Sequence, residues 1–188
     1  TYGALLDLIE RAFERSSPLF SLVVYNPVEY YLGDADEIDP FRRARLSNVV
    51  TLIRTQFLKR FESSVYAFET SCDRLLRKLL AFLKVHCETN HEKQLLERWI
   101  AQNESILNYT KNKQLELWDS EEEDDPELFP PELLERWEKL ERDKYDIPAI
   151  INMTLSDLDE LVKFLQETRK FKPARDDKLN KLKRMLKS

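Results

Sequence analysis

The sequence predicts an all-α fold in which a long antiparallel, coiled-coil-like helix pair carries additional packed helices. Three observations predict it. Apolar residues recur at spacings of three and four from Leu46 to Phe82. Only two glycines, Gly3 and Gly33, occur in 188 residues, too few for a sheet protein built on tight hairpins. Hydrophobic residues make up 42% and charged residues 35%, a balance that suits amphipathic helices with solvated outer faces and argues against a disordered chain.

The elements follow in order. Leu5, Leu8, Ile9, Ala12 and Phe13 form a helical stripe over residues 4–15, which Ser16, Ser17 and Pro18 end. Residues 19–25 are apolar and partly β-branched, so a short extended stretch is expected there. Asn26 and Pro27 have the form of a helix start, with Asn as cap, and Gly33 and Asp34 close that short helix. Residues 1–38 thus make an N-terminal helix and a connecting segment.

Asp39 and Pro40 open the main feature, the helix pair of residues 39–118. Leu46, Val50, Ile53, Phe57, Phe61, Val65, Phe68, Cys72, Leu75, Leu79 and Phe82 make a seam with one irregular step near Phe61. One helix from about residue 41 to about 87 would span ~70 Å. A polar break at Glu88–Glu92 separates it from a return helix bearing Leu95, Trp99, Ile106 and Tyr109, and a short loop between long helices makes them antiparallel. Residues 119–130 form an acidic loop, with Asp119, Glu121, Glu122, Glu123, Asp124, Asp125 and Glu127 punctuated by Pro126 and Pro130. A helical pair at about 131–144 and 155–170 completes the bundle within residues 131–172. Thr154 is the expected cap of the second helix, and Asp157 the carboxylate of its capping box. Residues 173–188 form a basic C-terminal helix. From Arg169 onward, nine Lys and Arg against Asp176 and Asp177 give +7, leaving −12 for the rest of a chain whose net charge is −5.

These totals exclude several chemistries. A phosphate loop, a dinucleotide fingerprint and a nucleophile elbow each need closely spaced glycines, and Gly3 and Gly33 are thirty positions apart. His86, Cys87 and His91 lack a fourth metal ligand, and neighbours on a helix point about 100° apart. No metal, cofactor or catalytic residue is therefore expected within this chain. Cys72 and Cys87 fall ~22 Å apart along one helix, beyond disulfide reach, which fits reduced thiols and a cytoplasmic setting. No segment approaches the ~20 apolar residues of a membrane span. Thr1 leads straight into an amphipathic segment, so no signal peptide is expected, and the missing initiator Met is expected of a fragment.

Residues 41–61 hold Arg42, Arg43, Arg45, Arg54, Lys59 and Arg60 and no acid. On a helical wheel Arg45 and Lys59 point away from the seam, Arg42 and Arg60 lie on one flank, and Arg43 and Arg54 lie on the other. Such residues can neutralise phosphates and release counterions, or simply solvate a helix face.

The run Phe57-Leu58-Lys59-Arg60-Phe61-Glu62-Ser63-Ser64, with Phe68 following, goes further. It resembles a helix of bacterial Swi/Snf-type (superfamily two) ATP-dependent helicases that follows the first ATPase lobe. That helix reads roughly leucine-leucine-lysine-arginine-leucine-glutamate-serine-serine, so Phe61 departs from the usual residue. Residues 176–182 resemble the helix leading into the second lobe, and residues 16–22 the region after the first. The strong resemblance covers about forty residues and leaves 88–168 unmatched.

The resemblance implies a non-catalytic helical insertion between two lobes of a DNA-dependent ATPase. ATP and Mg²⁺ would belong to the parent protein, outside this chain. Partners would be the flanking lobes, DNA and a protein partner, with no membrane. Lys59, Arg60, Arg54 and Arg45 would be the nucleic-acid contacts. The rival reading is a free-standing coiled-coil adaptor that binds another protein through its seam or its acidic loop.

Overall fold

A computed structural model describes residues 20–117 and 139–170, together with Gly3, Asp7 and Arg11. The three isolated residues are helical and exposed. Three 3₁₀ turns come first, at Val23–Tyr25, Pro27–Tyr30 and Ala35–Glu37. Five α-helices follow: α1 (Pro40–Ser63), α2 (Val65–His86), α3 (Asn90–Gln102), α4 (Glu104–Leu117) and α5 (Ile147–Thr168). The fold is all-α. Among the described residues the one strand-like feature is an isolated antiparallel bridge between Tyr31 and Tyr145. No helix among them is long and apolar enough to cross a membrane.

The ~70 Å rod is replaced by two helices with a sharp bend between them. Asp39 starts α1 by accepting the Phe41 N–H at 3.0 Å, with Pro40 at the first position. Ser64 then leaves the helical region (φ −164°, ψ 154°). Its N–H bonds to the Arg60 carbonyl and closes α1, while its Oγ accepts the Ala67 N–H at 3.0 Å and opens α2. Burial explains why the chain turns here. Phe57 and Phe68 lie eleven residues apart, which an unbroken helix would separate by ~16 Å. Their ring centroids are instead 6.0 Å apart, and Phe61 and Phe68 are 5.5 Å apart. Phe164 of α5 and Phe20 close the cluster, at 5.5 Å from Phe68 and 6.1 Å from Phe57. The irregular step in the seam near Phe61 lies at this bend.

The return helix is also in two pieces. Thr89 and Glu92 form a reciprocal capping box that starts α3. Asn103 ends α3, with its side-chain amide donating to the Trp99 carbonyl at 2.9 Å. The principal partner of α2 is not this return segment but α5. That helix begins a turn and more before the expected start. Asp146 caps it by accepting the Ala149 N–H at 3.0 Å, and Pro148 follows in the first turn. Thr154 is no cap: its hydroxyl is buried in mid-helix and donates to the Ile150 carbonyl at 2.7 Å. The buried stripe Ile147, Ile150, Ile151, Leu158, Leu161, Phe164 and Leu165 faces the apolar face of α2, where Phe68, Leu75, Leu76, Leu79 and Leu83 are sealed from solvent.

Other expectations change at the edges. The apolar run at 19–25 is not extended: Leu22 is left-handed (φ 55°) and leads into the first 3₁₀ turn. The helix expected after Asn26 is the single turn Pro27–Tyr30, and the Asn26 side chain does not cap it. Gly33 sits under the Tyr31 ring, and a Cβ there would lie 2.5 Å from it, so any other residue would displace the Tyr31 side chain. The acidic loop 119–130 and the basic segment 173–188 lie outside the described residues. So do residues 131–138 of the helix expected at 131–144, while residues 142–144 are a turn.

Candidate nucleic-acid interface and the buried polar centres

The four basic residues picked from the sequence separate into surface and interior. Arg45 and Lys59 are exposed on the outer face of α1, as are Arg42 and Arg43 nearer its start. Arg60 is half-buried on the flank. Beside the cations the outer face carries Phe41, 81% exposed at its start, and Leu52, 40% exposed between Arg45 and Lys59. Phe41, Arg45, Asn48, Leu52, Thr55 and Lys59 follow one another at spacings of four and three, and all are exposed. The outer face of α1 is thus a second helical stripe, opposite the buried stripe of Val50, Ile53, Phe57 and Phe61.

Arg54 has a structural task. It is half-buried and donates from Nη2 to the Phe20 carbonyl at 2.8 Å. Burial lowers its pKa, and the nearby Asp157 carboxylate opposes that shift. Its guanidinium therefore pins the 20–25 segment to α1.

Asp157 is the centre that sequence reasoning misread. Its side chain is fully buried. Oδ1 accepts the Ser21 N–H at 2.6 Å, Oδ2 accepts the Leu22 N–H at 2.7 Å, and the Ser21 hydroxyl donates to Oδ2 at 2.9 Å. Burial pushes its pKa up to about 6, against the lowering effect of these donors and of Arg54. Asp157 is sealed from solvent while Ser21 is half-buried, and the carboxylate is taken up by the two main-chain N–H groups and the hydroxyl it accepts, so it serves as a cap for the 20–25 segment. A signal was present in the sequence: Asp157 shares a helical row with Leu161 and Leu165, on the apolar face where a carboxylate needs dedicated partners.

The other buried carboxylates are also engaged. Glu69 accepts from the Tyr109 hydroxyl at 2.8 Å; burial, and after it this bond, raises the Tyr109 pKa. Asp73 pairs with Arg77 at 2.7 Å, and Glu160 with Lys163 at 2.6 Å. Glu92 accepts the N–H groups of Glu88 and Thr89 at 3.0 Å each and pairs with Arg142. Trp99, on α3, donates its indole N–H to Asp159 of α5 at 2.7 Å and acts as an anchor between helices.

His86 is buried at the end of α2. Its Nδ1 lies 2.8 Å from the Phe82 carbonyl, and its Nε2 lies 3.0 Å from the Leu140 N–H. With both ring nitrogens committed to the backbone, it cannot join Cys87 and His91 in a metal site. Among the described residues no group of three or more His, Cys, Asp or Glu could hold a metal. Cys72 and Cys87 are free buried thiols, and burial pushes Cys87 up to about 11. Comparison with protein-family models, curated proteins and solved structures finds no match to this chain.

Proposed function

We propose that this chain is a non-catalytic helical module lying between the lobes of a Swi/Snf-like, DNA-dependent ATPase, with the outer face of α1 as its nucleic-acid contact. The observation that carries this reading is the exposure of Arg42, Arg43, Arg45 and Lys59 along an acid-free stretch of a chain whose net charge is −5. A helix about 24 residues long offers its cations over several turns, which suits the regular charges of a phosphate backbone. The bend at Ser64 means that α1 and α2 do not form one rigid rod between the lobes. Force between lobes would instead pass through the packed pair α2 and α5, whose shared core is rigid.

A specific observation favours the adaptor reading. Phe41 and Leu52 interrupt the basic stripe with exposed apolar area that phosphates do not need, whereas an acidic amphipathic helix would use both. Fluorescence anisotropy of a labelled duplex against the 188-residue chain separates the two. The DNA reading expects binding that weakens steeply with salt. It also expects the double variant Arg45→Glu, Lys59→Glu to abolish that binding while the protein remains folded. Absence of binding at low salt would overturn it and leave the protein-partner reading.

A further inference from the structure

The strap from Lys139 to Asp146 links the corner between α2 and α3 to the 3₁₀ segment. One end is held by main-chain bonds: the Leu32 N–H to the Lys144 carbonyl at 2.8 Å, and the Asp146 N–H to the Tyr30 carbonyl at 2.9 Å. The other end is held by His86. A carbonyl can only accept, so the Phe82 oxygen requires a proton on Nδ1. A main-chain N–H can only donate, so Leu140 requires a bare Nε2. The geometry therefore fixes His86 as the neutral Nδ1–H tautomer, stacked on Phe82 with ring centroids 3.9 Å apart.

We propose that His86 is an acid-released latch: its neutral ring clamps the strap to the end of α2, and a proton on Nε2 expels the Leu140 N–H. The added proton turns an acceptor into a donor aimed at another donor, so the bond is lost and the two groups repel.

The charged surroundings act in the same sense on balance. Lys139 and Arg142, both on the strap, oppose a charge on the ring, while Glu88, just beyond α2, favours one. Burial is the largest influence and holds the ring neutral. Glu92 of α3 is already paired with Arg142, whose Nη2 also donates to the His86 carbonyl at 3.1 Å. Lys139 pairs with Glu88 at 2.5 Å. Neither ion pair uses a His86 ring nitrogen, so the bond that the added proton breaks directly is the one to Leu140, while the main-chain bonds at the Tyr30–Leu32 end involve no titrating group. This inference is independent of the proposed function.

Hydrogen exchange and ring ¹⁵N spectra of the 188-residue chain test it. Near neutral pH the His86 proton is expected on Nδ1, with His91 on the surface as the reference ring. As pH falls from about 7.5 through the midpoint at which the His86 ring nitrogens titrate and to about one unit below it, protection of the Leu140 amide is expected to fall at least about tenfold relative to the Leu79 amide of α2. In His86→Gln, whose side-chain oxygen can accept without titrating, that ratio stays flat. A proton found on Nε2, a flat ratio in the wild type, or an equal fall in the variant would overturn the proposal. Should the variant not fold, the wild type still decides. The ring nitrogens and the Leu140 amide shift titrate with one midpoint if the latch exists, and with different midpoints if it does not.

Discussion

Asp157 in the middle of α5 holds Leu22, 135 positions earlier, through a 2.7 Å bond from the Leu22 main-chain N–H to the buried carboxylate. With Ser21 bonded to the same group, one side chain stands in for the helix cap that the 3₁₀ turn Val23–Tyr25 lacks locally. Asp157→Ala should therefore leave the Leu22 donor buried and unpaired, at a cost of ~2–4 kcal/mol. Asp157→Asn should also destabilise, because its amide has only one acceptor oxygen to offer the two N–H groups. Urea unfolding midpoints near neutral pH measure both.

The same carboxylate sets a pH dependence of definite sign. Burial moves its pKa from an ordinary 3.8 to about 6, so the folded state binds this proton more tightly than the unfolded chain. The stabilisation that comes from binding this proton is full below the unfolded value and is lost as pH rises through 6, leaving the hydrogen bonds of the ionised carboxylate. Relative to Asp157→Asn, the wild type should gain on the order of 2–3 kcal/mol between pH 7 and pH 4. Comparison with the variant at each pH removes the opposite trend of His86, whose depressed pKa costs stability as pH falls below 6.5. A constant difference between the two proteins would refute the assignment.

Leu22 is the one non-glycine residue described with positive φ, at 55°. It is also fully buried, so side-chain packing and backbone preference conflict there. Leu22→Ala loses the packing and keeps the left-handed strain, whereas Leu22→Gly loses the packing and relieves the strain. Glycine should therefore be the more stable of the two variants by ~1 kcal/mol, reversing the usual order. Thermal unfolding of the pair checks this, and alanine as the better residue would contradict the conformation.

What the sequence disclosed, it disclosed through periodicity. The apolar spacing from Leu46 to Phe82 and along Leu158, Leu161 and Leu165 identified the core faces of α1, α2 and α5. The break at Ser64 was hidden because spacings of three and four continue across it, and a cap that closes one helix while opening the next leaves no glycine or proline. The start of α5 was misplaced because Thr154 and Asp157 have the spacing of a capping box, although both are buried in mid-helix. The exposure of Arg45 and Lys59 followed from the wheel. The roles of Arg54, His86 and Asp157 did not, since each depends on a partner more than thirty residues away.

The bend itself is open to test. Ser64→Ala removes the hydroxyl that accepts the Ala67 N–H, and should cost ~1 kcal/mol without straightening the chain. Phe68→Ala removes the ring that touches Phe57, Phe61 and Phe164, and should cost ~3–5 kcal/mol. Spin labels at exposed Thr55 and Lys84 would report the geometry. A distance near the ~44 Å of a continuous helix in the wild type would contradict the bend.

Arg54 and Lys59 lie on one helix and differ in what they hold, so their neutralisation should separate stability from binding. Arg54→Gln loses a charge-assisted bond to the Phe20 carbonyl and a cation near Asp157, a change that should lower stability by ~1–3 kcal/mol. Lys59→Gln alters an exposed side chain, so stability should stay within ~0.5 kcal/mol. If the outer face of α1 meets phosphates, Lys59→Gln should weaken duplex binding to all sequences alike and reduce the salt slope by about one. Arg54→Gln should leave that slope unchanged while the protein remains folded. Titrations at several salt concentrations, beside urea unfolding of the same preparations, read both quantities. A Lys59→Gln slope equal to wild type would remove α1 from the proposed interface.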